Sequence, residues 1–370
     1  MSASKVFFTD MRVGANTTLL KKLRRLIDAA GIANIDFTDK YTAVKIHFGE
    51  VGNMAFLRQQ YAKVLCDRIK ELGGKPFLTD SNTLYIGCRN NALDHLDAAY
   101  MNGYNPLSTG VHTIIADGLR GTDEREIPVE GGEYVKAAKI GAAIAEADVF
   151  ISLTHFKGHN QAGFGGCLKN VGMGSGSKRG KMEMHSSGTV RVSKRRCVGC
   201  GICAKHCNHS GISVIDGKAV VNEDKCLGCG YCIAYCPKGA LMTKWDEAKP
   251  VMNRKIAEYA KAVLDGKPCF HISMVIDVSP ECDCDSNNDI PIIPDVGMFA
   301  SFDPVALDQA CVDAANAAPI VPGSAADAPD QHEHGHDVFR IVHPDTDWEA
   351  GLIHAEKLGL GTREYELVRV

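Results

Sequence analysis

Apolar residues recur along this chain in two rhythms, one spaced for helices and one for strands. Leu57, Tyr61, Val64, Leu65, Ile69 and Leu72 fall on one face of a helix drawn over Asn53 to Leu72, which Gly73-Gly74 stops. The same spacing predicts helices over Thr17 to Ala30, Asn91 to Met101, Tyr134 to Ala147 and Trp348 to Leu358. Short apolar runs bounded by turn residues predict strands at Thr42 to Phe48, Pro76 to Thr79, His112 to Ala116, Val149 to Leu153, Cys269 to Val278 and Tyr365 to Val370. Asp303 is placed to cap a helix running to Ala315, with Pro304 in its first turn. Strands alternate with helices, so the expected fold class is α/β, a mostly parallel sheet with flanking helices.

That alternation breaks in the middle. From Thr154 to His185 the chain is Gly-rich, basic and His-bearing; cysteine motifs follow, and the α/β texture returns after about Trp245. The pattern divides the chain into a host α/β domain over residues 1–187, an inserted α+β ferredoxin-like unit over 188–245, and the second part of the host over 246–370. An insert survives only where its ends lie close together on the host surface, which puts this one beside the Gly-rich stretch. Ala314 to Asp330 reads as a loop.

At 370 residues, with 45% hydrophobic and 23% charged, the chain is long enough for a full core and a smaller unit. Met1 to Gly14 lacks the apolar core of a signal peptide, and no apolar run approaches the length of a bilayer span. A soluble cytoplasmic protein without a membrane partner is expected. Fifteen cysteines in such a chain favour metal or cluster ligation over a disulfide framework.

Spacing identifies the ligands. Cys197, Cys200, Cys203 and Cys207 have the C-x₂-C-x₂-C-x₃-C spacing; Cys226, Cys229, Cys232 and Cys236 repeat it 29 residues on, followed by Pro237. Gly199, Gly201, Gly228 and Gly230 permit the tight turns that let three thiolates wrap one cubane, while the fourth cysteine of each run reaches the other. The runs resemble bacterial two-cluster ferredoxins over roughly Lys194 to Lys244, with Asn208 where a proline is expected. Two 4Fe-4S clusters follow, one on Cys197, Cys200, Cys203 and Cys236, the other on Cys226, Cys229, Cys232 and Cys207.

The net charge of −4 conceals a basic segment, since Lys178 to Trp245 holds twelve Lys and Arg against four Asp and Glu. These charges offset the clusters' own negative charge and offer a face to a soluble ferredoxin or another redox partner; nucleic acid is the less favoured explanation.

Two further groups carry chemistry. The stretch from His155 to His185, which includes His155-Phe-Lys157-Gly-His159, Gly163 to Asn170 and Lys181 to His185, gathers Lys, His and eight glycines behind a predicted strand. Lys157, Lys169, Asn170 and Lys181 are candidate ligands for a small anionic substrate, with Lys169, His155 and His159 as candidate catalytic groups. The alternative is a loop that cushions the clusters. Cys282 and Cys284, one residue apart, cannot form a relaxed disulfide; with Cys167 or a histidine they make an additional metal site, or else they are small buried hydrophobes. Cys66, Cys88, Cys269 and Cys311 read as core, and His332, His334 and His336 as a solvated loop. No dinucleotide fingerprint opens a helix after a strand.

His155-Phe-Lys157-Gly-His159, Gly165-Gly-Cys167-Leu-Lys169-Asn170, Cys282-Asp-Cys284 and Ser301-Phe-Asp303-Pro304-Val-Ala-Leu-Asp308 resemble the prokaryotic domain of unknown function 362, in its iron-sulfur branch, from about Thr42 to Asp313. The resemblance implies this architecture with a ferredoxin module inserted, and no particular reaction. The expected function is iron-sulfur electron transfer, in an oxidoreductase or its electron-delivering subunit in anaerobic metabolism. The alternative is a non-enzymatic electron carrier or a metal-handling factor for a larger metalloenzyme complex.

Overall fold

Consecutive residues in the central strands point to opposite faces, and both faces are apolar. Ala43, Phe77 and Phe150 enter one core, while their neighbours Val44, Leu78 and Ile151 enter another. A strand buried on both sides reads as an unbroken apolar run, which is why Val149 to Leu153 stood out in the sequence. The computed structural model describes residues 3–186, 188–327 and 336–370. Eight strands form one sheet, in the order Tyr365–Arg369, Ser4–Asp10, Gly297–Ser301, Cys269–Val275, Val149–His155, Tyr41–Lys45, Lys75–Asp80 and Thr113–Ile115. Gly297–Ser301 runs antiparallel to both neighbours; the other pairings are parallel. The mostly parallel sheet expected from the alternation is therefore present.

Helices cover both faces. Leu19–Ala29 and Gln59–Glu71 pack on one. Cys167–Ser175, Lys249–Leu264, Pro304–Asn316 and Glu349–Lys357 pack on the other. Asp303 caps its helix by accepting from the Val305 and Ala306 N–H groups, both at 2.9 Å. Among the described residues no helix is long and apolar enough to cross a membrane.

Several local expectations are corrected. The helix expected over Tyr134 to Ala147 is a strand, Ala137–Gly141, paired antiparallel with Glu124–Pro128, followed by a short helix at Ala142–Glu146. Ala138 and Ile140 are buried and alternate with half-buried neighbours, a two-residue period that alanines disguise. The helix expected from Asn53 starts at Gln59, because the Asn53 side chain accepts from Ala55 and Phe56 N–H and holds a turn instead. The strand Ser4–Asp10 and the helix Lys249–Leu264 carried no clear signal; the helix is buried around most of its circumference and so lacks a polar face.

The Gly-rich stretch, in which no helix was expected, contains the helices Cys167–Ser175 and Lys178–His185. Gly172 weakens helix propensity, but a Cβ there would stand 2.2 Å from the Ile256 carbonyl oxygen. Close approach to Lys249–Leu264 thus outweighs propensity.

Within residues 190–243, Val190–Val192 pairs antiparallel with Leu241–Thr243, and Ile212–Ile215 with Lys218–Val221. Two short helices, Ile202–Lys205 and Tyr231–Tyr235, follow the first turns of the two cysteine runs. Val190, Ile212, Ala219, Ile233 and Leu241 form a small separate core, which Leu84 and Met182 join from the host. This segment meets the Gly-rich stretch where Arg179 Nε donates to the Cys229 carbonyl at 3.3 Å and its guanidinium covers the Tyr231 ring.

Candidate functional site

Parallel strands deliver their C-terminal residues to one edge of the sheet, where α/β folds bind ligands. Here Lys45, Asp80 and His155 end their strands, and a cavity of about 440 Å³ opens beside them. Its cationic wall comprises Lys45, Arg89, Lys157, Lys169 and Lys181, with Asp80 and Asp285 as the lining carboxylates.

Partners decide which of these cations remain available. Lys45 Nζ lies 2.9 Å from both Asp80 Oδ1 and Asn170 Oδ1. Arg89 Nε donates to Glu50 Oε2 at 3.0 Å, and its Nη1 lies 3.6 Å from Asp80 Oδ2. Asp80 stays ionised: burial opposes that, but Lys45, His47, His95 and Arg89 together hold its pKa below the usual range. Lys157 Nζ donates to the His155 carbonyl at 2.9 Å and faces Asp283 Oδ2 at 3.4 Å. Burial disfavours its charge, but Asp283 and the nearby thiols outweigh that and raise its pKa.

Lys169 and Lys181 differ. Among the described residues neither has a carboxylate within ion-pairing distance; Lys181 Nζ donates to the Gly176 carbonyl at 2.6 Å, and Lys169 Nζ lies 3.8 Å from Cys282 Sγ. Burial lowers the Lys181 pKa to about 8, against the pull of Asp117 and Asp80. These two ammonium groups are the ones free to meet an anion.

The remaining sequence candidates fall into different places. Asn170 lines the cavity, yet its Oδ1 accepts from Lys45 and its Nδ2 donates to Thr154 Oγ1 at 3.0 Å, so it pins a helix to two strands. His155 lies behind the wall, not in it. Its Nδ1 is 2.9 Å from Asp283 Oδ1 and its Nε2 2.8 Å from the Ile276 carbonyl, which leaves no nitrogen for a bound molecule. His159 does line the cavity. Its Nδ1 accepts from the Gln161 and Ala162 N–H groups, both at 3.1 Å, so Nε2 carries the ring proton. Burial holds its pKa near 4, and at neutral pH it offers a hydrogen-bonding N–H rather than an acidic proton.

Donor atoms of His159, Cys282 and Cys284 lie within 4.8 Å of one another, close enough to hold a metal ion. Cys167, the other residue considered for this group, stands apart: its sulfur contacts Ser152 Oγ at 3.4 Å, and its N–H is capped by Asp308 at 2.6 Å. Cys167 is fully buried and burial raises its thiol pKa well up, as for an inert core cysteine. Cys66 and Cys311 are buried and Cys269 partly so, but Cys88 is exposed, because it sits in the loop after Asp80 rather than in an element. His332 and His334 lie outside the described residues; His336 is exposed.

The eight repeated cysteines gather in two sets. Cys197, Cys200, Cys203 and Cys236 line one small cavity. Cys207, Cys226, Cys229 and Cys232 line a second. Gly199, Gly201, Gly228 and Gly230 all have positive φ, and a Cβ on Gly199 would meet the Gly217 carbonyl at 2.3 Å. Backbone N–H groups of Ala219, Gly211 and Ala240 donate to the sulfurs of Cys197, Cys207 and Cys236, each at 3.2 Å. Leu84 and Trp245 line the large cavity and also pack against the cysteine core, so the two regions share a wall.

Sequence reasoning missed Lys45, Glu50, Asp80 and Arg89. A Lys ending one apolar strand and an Asp ending the next is the signal that could have found two of them.

The family model for a domain of unknown function (DUF362) matches residues 42–313, and the chain belongs to that family. No curated protein matches. Among the solved structures that resemble it are two, each at 13% identity. The lactate racemase apoprotein from Thermoanaerobacterium thermosaccharolyticum covers 74% of this chain and 51% of its own length, with a TM-score of 0.37. A protein from Thermotoga maritima covers 75% and 54%, with a TM-score of 0.36. The chain thus spans about half the length of each of these two structures.

Proposed function

We propose that this DUF362 chain is an iron-sulfur electron-transfer protein, an oxidoreductase or its electron-delivering subunit, acting on a small anionic molecule held in the cationic cavity. One observation carries the reading: eight cysteines sort into two four-sulfur cavities beside a lysine-lined pocket. The donor set fits 4Fe-4S clusters, since thiolates are their usual ligands and N–H groups directed at sulfur favour the ionised form. Cys197, Cys200, Cys203 and Cys236 would hold one cluster, and Cys226, Cys229, Cys232 and Cys207 the other. When bound, such clusters supply one-electron transfer.

The chain's own residues do the rest. Lys169 and Lys181 bind and orient the anion. Lys181, with its pKa near 8, holds a proton it can release at physiological pH. Leu84 and Trp245 keep water from the shared wall. A soluble ferredoxin, or another acidic redox protein, is the partner that the basic face around the cysteines suits. The other reading, a metal-handling factor, requires His159 to bind through Nε2, the nitrogen that its hydrogen bonds leave protonated.

Anaerobic purification with iron quantification tests the proposal. About eight irons per chain are expected, with Cys236→Ser and Cys207→Ser each removing one cluster's signal in electron paramagnetic resonance. Lys169→Ala should retain the iron and lose turnover. A colourless protein, or zinc at these sulfurs, would sink the reading.

A further inference from the structure

Asp283 is buried and pinned by His155 at 2.9 Å and Lys157 at 3.4 Å, while the Asp285 N–H donates to the Cys282 carbonyl at 2.9 Å. The turn so fixed brings the sulfurs of Cys282 and Cys284 together at the cavity wall. Cys284 faces the cavity and Cys282 lies behind it, 2% exposed. Three donors surround the inner sulfur: the Cys284 thiol, the protonated Nε2 of His159 and the Lys169 ammonium at 3.8 Å. Such an environment suits two thiols that share one proton and carry one negative charge. The Cys284 hydrogen bond and the nearby lysines lower the Cys282 pKa, although burial opposes the charge.

We propose that Cys282 and Cys284 are a redox-active dithiol that exchanges with a small anionic disulfide bound by Lys169 and Lys181. In the first step the Cys284 sulfur, its proton passed to Cys282, attacks one sulfur of the bound disulfide. The S–S bond of the ligand breaks, one thiolate leaves, and a mixed disulfide remains on Cys284. Cys282 then attacks the Cys284 sulfur, giving the internal disulfide; its proton leaves with the second product thiol. One disulfide is reduced to a thiolate and a thiol, and the chain's dithiol is oxidised by two electrons. Residues one apart close such a bond only under strain, and strained disulfides are the readily reduced, catalytic kind. The inference deepens the function proposed above, resting on the cavity as its substrate site and not on the clusters.

The test uses anaerobically purified full-length protein carrying Cys88→Ser, which removes an exposed competing thiol. Its probes are dianionic dithiobis-nitrobenzoate and neutral dithiodipyridine, with the labelled cysteines mapped by mass spectrometry. Two thionitrobenzoates per chain should be released as the Cys282–Cys284 peptide loses two hydrogens. Cys282→Ser, lacking the thiolate that takes the Cys284 proton, should react slowly and stop at a mixed disulfide on Cys284, and Cys284→Ser should lose the mixed disulfide at that position. Lys169→Met should slow the dianionic probe by about tenfold and the neutral one less, the size of one pKa unit of lost stabilisation. Unreactive sulfurs, a mixed disulfide persisting on Cys284 with Cys282 present, or release only after a chelator strips a metal from the pair would overturn the dithiol. Inert sulfurs in an iron-replete protein sink this inference alone. Iron-free protein with intact exchange sinks the electron-carrier reading alone.

Discussion

The cavity and the cysteine segment hold their polar groups in opposite ways. In the cavity several buried charges meet a partner from a distant element, as Lys45 meets Asp80 and Arg89 meets Glu50, while Lys181 does not. In the segment eight sulfurs crowd around a core with few large apolar side chains. The first site is assembled by the fold before any ligand arrives. The second has only a small apolar core, and on the proposed function it draws further stability from the clusters its sulfurs would hold.

On the proposed function, stripping the iron breaks the comparison most directly. Residues 190–243 should become susceptible to limited proteolysis while the sheet domain keeps its thermal transition. Concerted loss of both would show that the two regions share one stability. Next in size is Asp80→Ala, which leaves Lys45 without its carboxylate and weakens the hold on Arg89. Breaking a buried pair costs about 3–5 kcal/mol, so the sheet's unfolding midpoint should fall by several degrees with iron content unchanged. A loss below about 1 kcal/mol would mean the network is not what organises the cavity.

Gly172→Ala sharpens the contrast from the packing side. The new Cβ would press on the Ile256 carbonyl, at a cost of roughly 1–3 kcal/mol. Gly199→Ala, at φ +66, should instead lower iron occupancy and leave the sheet's melting point alone. The smallest effect concerns pH. Lys181 has a folded pKa of about 8, below that of an unfolded lysine near ~10.4. Between those values the unfolded chain binds more protons, so this group's contribution to stability rises with pH. Anion affinity moves the other way, weakening as pH climbs through about 8. Isothermal titration with phosphate should show that decline, and Lys181→Met should flatten it.

Much of the fold was legible because local rules carried it. The Asp303 cap needs only the residues next to it, and the doubly buried strands announce themselves as apolar runs. Ala137–Gly141 was misread because alanine suits either period, and Cys167–Ser175 because its glycines serve a neighbouring helix rather than their own. At the site, Lys169 and Lys181 were legible as cations near a strand end. Their being the available ones was not, since that depends on where the carboxylates lie.

By itself, then, the sequence determined what short-range spacing encodes: the cysteine runs, the capped helix, and the alternation that demands a parallel sheet. Only the tertiary structure decided which lysines are neutralised, which histidine nitrogen is protonated, and that Lys169 meets Cys282. The reason is physical. Neutralisation, burial and tautomer are set by partners such as Lys45 and Asn170, 125 residues apart, and no local pattern records a contact made only when the chain closes.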